Sequence, residues 1–164
     1  MAELQSPLSD QVNALVDRAL DQYDTAPAED RIRILKEAWA LMPEPKNQWD
    51  ESYSISHGLA ITLLDEEDLD EARDWAVTLL TCPAVEESAG EAEMIYAMIC
   101  FEQGEFAEAM DFFADADENS DGACWESEDP KYEEFFREQL EGLAAESLEL
   151  EEGDVEELDE KLYE

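Results

Sequence analysis

The segment Leu59-Ala60-Ile61-Thr62-Leu63-Leu64-Asp65-Glu66-Glu67-Asp68-Leu69-Asp70-Glu71-Ala72-Arg73-Asp74-Trp75 aligns with the segment running from Tyr96 to Phe112 and places Ala72 and Ala109 in one slot, 37 residues apart. A period of this length marks a chain built from supersecondary units, each too small to bury its own apolar face and therefore obliged to stack on its neighbours. With six Gly, six Pro and an excess of Ala, Leu, Glu and Asp, the units read as helical. Pro27, Pro43, Pro45, Pro83 and Pro130 separate the segments of apolar periodicity. The spacing predicts helices near 8–24, 28–42, 50–65, 69–81, 89–103, 105–117, 129–148 and 154–162. Two starts carry a physical signature: Asp129-Pro130 sets a carboxylate before proline at the first helical position, and Asp154 with Glu157 has capping-box spacing.

The helices fall into pairs of the tetratricopeptide kind with a slightly long connection. Ala97 and Ala109 are small where two helices cross closely, Gly104 sits in the tight turn, and Phe106 and Phe113 are expected to fill space between pairs. Arg31 to Pro43 fits the second helix of an earlier, degenerate copy, with Ala38 at its late small position. After residue 129 a fourth pair is expected, turning at Glu152-Gly153-Asp154-Val155 and acting as a polar cap. The expected fold is thus all-α: antiparallel helix pairs stacked as a short tetratricopeptide-like solenoid, one domain over 1–164, with residues from about 150 to 164 frayed.

Charge bounds the partners. There are 47 Asp plus Glu against 9 Lys plus Arg, a net charge of −38, where a small domain usually carries a magnitude of about 2–8. Residues 1–73 hold 17 acids and 6 bases, and residues 74–164 hold 30 acids and 3 bases. This sign excludes direct binding to nucleic-acid phosphates and to anionic lipid, and no apolar run approaches the roughly 18 residues of a spanning helix. A basic protein partner would relieve the self-repulsion, and so would a saline proteome in which acidity serves solubility alone. Met1-Ala2-Glu3-Leu4-Gln5-Ser6-Pro7 lacks the regions of a secretory signal, and Cys82, Cys100 and Cys124 form no paired motif, so a reducing cytoplasm is the expected setting.

Few residues invite chemistry. The single histidine, His57, stands near no recognisable nucleophile motif, and carboxylates are too numerous for catalytic pairs to be read from spacing. No enzyme activity and no cofactor are expected. Asp117 to Glu128 does match calcium-loop spacing, with Asp117, Asn119, Asp121, Gly122 and Glu128 at the required positions. Cys124 replaces the usual aliphatic residue, no second loop exists, and Asp129-Pro130 would interrupt the exiting helix, so a specific metal site is not expected there.

The order Pro45-Lys46-Asn47-Gln48-Trp49, the hairpin from Leu59 to Trp75, Cys82-Pro83, the hairpin from Ile95 to Ala116 and Glu128-Asp129-Pro130-Lys131-Tyr132-Glu133-Glu134-Phe135-Phe136 resembles, over residues 43–137, small tetratricopeptide-like bacterial immunity proteins encoded beside polymorphic toxins. That resemblance implies binding and occlusion of a toxin, for which an acidic surface would dock on a basic cleft under electrostatic steering. The repeat register places Ser54, His57 and Asp65 in the groove of one copy and Glu91, Met98 and Glu102 in the next. Trp49, and Trp125 with Glu126 and Glu128, are candidate aromatic and acidic anchors, although either Trp could instead staple helices and Met98 could be core. Rival readings are an adaptor or co-chaperone that holds peptide tails, and a nucleic-acid mimic that inhibits a DNA-binding protein. An adaptor groove that grips a carboxylate needs Lys and Arg, which this chain scarcely has.

Overall fold

A computed structural model describes residues 2–162, with 151–162 described as backbone only. The described residues form seven α-helices and no strand: α1 (Leu8–Asp21), α2 (Ala28–Leu41), α3 (Asp50–Asp65), α4 (Leu69–Leu80), α5 (Glu91–Glu102), α6 (Phe106–Asn119) and α7 (Pro130–Leu162), with short 3₁₀ turns at Lys46–Gln48, Pro83–Glu87 and Ala123–Trp125. The chain divides into two compact units, Met1–Cys124 and Trp125–Glu164.

In the first unit each helix packs on the next, in pairs α1–α2, α3–α4 and α5–α6. The expected all-α helical-repeat arrangement is what forms. α1 also touches α3, and α3 touches α5, so the odd helices make an inner row and the even helices an outer one.

The 37-residue register is visible bond for bond. Asp68 N donates to Leu63 O at 3.0 Å and Glu105 N to Cys100 O at 2.9 Å; Ala72 N reaches Asp68 O and Ala109 N reaches Glu105 O, both at 2.9 Å. In each turn the residue before the next helix's N-cap is left-handed: Glu67 with φ 60° and Gly104 with φ 80°. The core slots obey the same offset with exchanged volumes, since Ala76 and Leu79 in α4 answer to Phe113 and Ala116 in α6, all four at 0% exposure. Gly90 must lack a side chain because it lies against the backbone of Ala116: a Cβ built on Gly90 would meet Ala116 O at 2.7 Å. Ala89 and Gly90 both have positive φ, at 51° and 85°, so α5 starts at Glu91 and not at 89.

α5 is buried all round, with Ala92 and Met94 through Cys100 inside, as befits a helix apolar on every face. Its two ends alone carry exposed acids, Glu91 and Glu102. Phe113 is core as expected, whereas Phe106 is half-exposed and meets Phe101 edge-on at 5.5 Å. On the outer row, Trp39 and Trp75 meet edge to face at 5.2 Å, and Lys36 pairs with Glu71.

In the second unit α7 begins as the sequence indicates, with Asp129 Oδ1 accepting from Lys131 N at 3.0 Å ahead of Pro130. It does not break at Glu152-Gly153-Asp154-Val155, however. One helix runs from Pro130 to Leu162, so the expected fourth pair is absent among the described residues. A single glycine costs a helix only about 1 kcal/mol against alanine, and Glu and Leu on both sides favour continuation. Asp154 and Glu157 stand at i,i+3, a spacing as native to a helix interior as to a capping box. Of the residues expected to fray, from about 150 to 164, the last two lie outside the described ones, and the backbone up to Leu162 continues the helix. No helix among the described residues is long and apolar enough to cross a membrane.

Candidate functional site

The inner row is stitched by polar contacts. Asn13 Nδ2 in α1 donates to Glu51 Oε1 in α3 at 3.2 Å. Between α3 and α5, Glu91 is held twice: Tyr53 Oη donates to Glu91 Oε2 at 2.7 Å, and His57 Nε2 lies 3.0 Å from Glu91 Oε1. Tyr53 and His57 stand one helical turn apart, so their rings share a face, with centroids 5.9 Å apart and planes tilted by 30°. The His57 hydrogen bond, followed by that from Tyr53, holds the Glu91 carboxyl below its ordinary value against the opposing effect of burial. Burial first, and then the bond to Glu91, pushes the Tyr53 phenol up.

Two carboxylate oxygens on the inner-row helices are shielded from solvent without a hydrogen bond, Glu51 Oε2 and Glu93 Oε2. Buried acceptors are normally satisfied, and leaving one unmet costs about 1–3 kcal/mol. Both lie on inner-row helices, Glu51 in the first turn of α3 and Glu93 in that of α5. Neither α3 nor α5 contains a Lys or Arg to answer them.

Of the groove residues expected from the register, His57 and Glu91 are brought into direct contact. Ser54 is exposed on the same side of α3, and Asp65 closes that helix, accepting from Tyr23 Oη at 3.3 Å. Glu102 is exposed at the far end of α5, while Met98 is core at 2% exposure. Trp49 is half-buried and donates Nε1 to Pro43 O at 2.8 Å, so its polar edge closes the α2–α3 connection. Trp125 is corrected from an exposed loop anchor to a buried ring: it is 8% exposed and stacks on Phe136 with centroids 5.1 Å apart. An aromatic pair this close turns the indole inward, although Glu126 remains exposed and Glu128 half-exposed. Asp117 and Asn119 belong to the last turn of α6, and Asp121 follows with φ 52°, so the calcium-loop spacing falls on a helix end. Among the described residues no group of three or more His, Cys, Asp or Glu is arranged to hold a metal ion.

A second cluster joins the repeats through Arg73 on α4. Its guanidinium donates to Gln103 Oε1 at 2.9 Å, Tyr96 Oη at 3.1 Å and Glu108 Oε2 at 2.5 Å. Tyr96 Oη in turn donates to Glu108 Oε1 at 2.6 Å, and Gln103 Nε2 to Asp70 Oδ1 at 3.2 Å. The bonds from Tyr96 and then Arg73 lower the Glu108 carboxyl, while burial and the bond to Glu108 push the Tyr96 phenol up to about 12. Above the guanidinium opens a cleft of about 640 Å³ lined by Glu67, Asp68, Asp70 and Glu105 among others.

Sequence reasoning passed over Tyr53 and Arg73, and both left a signal. Tyr53 precedes His57 by four residues on one helical face. Arg73 is the sole Lys or Arg between residues 47 and 130, where a lone cation amid acids reads as a structural pin. No family model, curated protein or solved structure shows detectable similarity to the chain.

Proposed function

We propose that the chain is a non-enzymatic, acidic protein-binding module whose inner row of helices grips a basic protein, and that this partner is a toxin domain which it neutralises in the cytoplasm. The observation that carries the binding reading is the pair of shielded, unpartnered oxygens, Glu51 Oε2 and Glu93 Oε2, on the same two helices, α3 and α5, that hold the Tyr53–His57–Glu91 cluster. Both residues are only half-buried, so rotation of their side chains would present these carboxylates to lysine or arginine of a partner, whose charge-assisted bonds are the strong ones. Around them the net charge of −38 would speed encounter. Neutralisation of a toxin rests on the resemblance to immunity proteins and follows from occlusion alone, because a partner held across three stacked helix pairs has its own surface covered.

The adaptor reading fares worse, since α3 and α5 offer no Lys or Arg to a peptide carboxylate. The test is capture of partners by the tagged chain at low and high salt, followed by titration of any stoichiometric partner against the native chain and the Glu51→Gln/Glu93→Gln variant. A basic partner whose affinity falls by about tenfold or more in the variant supports the reading. Equal affinity for both chains overturns the assigned face, and capture of many unrelated peptide tails overturns the whole.

A further inference from the structure

The long helix of the second unit carries an apolar stripe that the proposed inner-row function does not use. Leu140, Leu143 and Leu150 are 40%, 56% and 72% exposed. Leu140, Leu143, Ser147 and Leu150 follow one another at intervals of three, four and three residues, which is the a/d seam of a helix that pairs with another helix. The seam extends the line of Phe136, whose ring is already taken by Trp125. Three large leucines left in solvent along one face, with a polar Ser147 at a single seam position, form an apolar stripe and not a scatter of surface residues.

Charge then selects the occupant. From 138 to 160 the sequence holds eleven acids and no Lys, Arg or His. Glu146 borders the stripe, and Glu138, Glu141 and Glu149 fill the opposite face. A second copy of the chain would bring the same net charge of −38 to the seam, with Glu146 again at its border, and like-charge repulsion of this kind disfavours that partner. A helix with the same apolar spacing and Lys or Arg at its borders meets neither objection. We infer that α7 is a docking strip for a basic amphipathic helix, held by Leu140, Leu143 and Leu150 and steered by the acids around them.

The experiment uses the full chain and a labelled synthetic helix of about 21 residues, three heptads long, with Leu at a and d and Lys at e and g. Its controls are a peptide of the same composition with the stripe scrambled, and one with Glu in place of Lys. Fluorescence anisotropy should show binding of the Lys helix alone, with about tenfold or greater weakening in the Leu143→Ser/Leu150→Ser variant, since a few apolar anchors carry most of such an interface. The Glu51→Gln/Glu93→Gln variant should bind this peptide as the native chain does, which separates the strip from the inner row. Equal binding of the scrambled Lys peptide, or an unaltered affinity in the leucine variant, would reduce the effect to bulk charge and overturn the inference. So would no binding at all, or a dimer of the native chain in sedimentation that the leucine variant abolishes, which would make a second copy the occupant.

Discussion

The repeat register makes a sharp prediction at Glu67. This residue occupies the slot of Gly104, 37 residues away, and adopts the same left-handed backbone, with φ 60° against 80°. For an L-residue with a Cβ that conformation costs roughly 1–2 kcal/mol, and Glu lacks the short polar side chain that eases it in Asn or Asp. Replacement by glycine removes the strain but gives the unfolded chain more freedom, a loss of about 0.4–1 kcal/mol. The Glu67→Gly variant should therefore gain about 0.5–1 kcal/mol, or about 1–4 °C in Tm. Because the change also deletes one charge from Glu66-Glu67-Asp68, the reference is Glu67→Gln, which keeps the Cβ and should lie within about 0.5 kcal/mol of native. Urea unfolding of the three chains, with midpoints compared at constant slope, reads the difference. A Glu67→Gly variant no more stable than Glu67→Gln would refute the claim that the two turns share one strained geometry.

Other expectations follow from the same contacts. Gly104→Ala, with open space around the new methyl, should lose about 0.5–1 kcal/mol net of the unfolded-chain entropy, while Gly90→Ala, at nearly the same φ but against Ala116 O, should lose about 1–3 kcal/mol more; equal losses in urea titrations would deny the close approach. Arg73→Met keeps the aliphatic stem but abandons Tyr96, Gln103 and Glu108, which should cost about 1–2 kcal/mol after allowance for the partial exposure of the pair. An unchanged midpoint there would mean that the cluster contributes nothing to stability. The Tyr96 phenol rises from 10.0 to about 12 on folding, so its contribution is complete below pH 10 and disappears as pH climbs through 12. Thermal melts across that window should fall steeply for the native chain and less steeply for Tyr96→Phe, and parallel curves would contradict the assignment.

The extent to which the sequence disclosed this molecule can be traced residue by residue. Ala72 and Ala109 revealed the period because helices that cross closely tolerate little else, and Asp129-Pro130 revealed a helix start because few other pairs suit that geometry. Glu67 was opaque, since nothing in a glutamate announces a left-handed backbone. α7 misled because one Gly beside capping-type acids looks like a turn when neighbours are unseen. At the site, His57 and Glu91 emerged from register alone, yet their union through Tyr53 depends on how closely α3 and α5 approach, a tertiary distance. Burial of Trp125 was equally hidden, because an indole among acids looks the same in sequence whether it faces water or Phe136.

The central claim is that this acidic stack neutralises a basic toxin by occupying it. Its most direct measurement is growth of cells expressing the captured basic partner, alone and together with the native chain or the Glu51→Gln/Glu93→Gln variant. The account predicts arrest by the partner alone, rescue by the native chain and loss of rescue in the variant at equal expression. A partner that is harmless by itself, or whose toxicity persists beside the native chain, would contradict it.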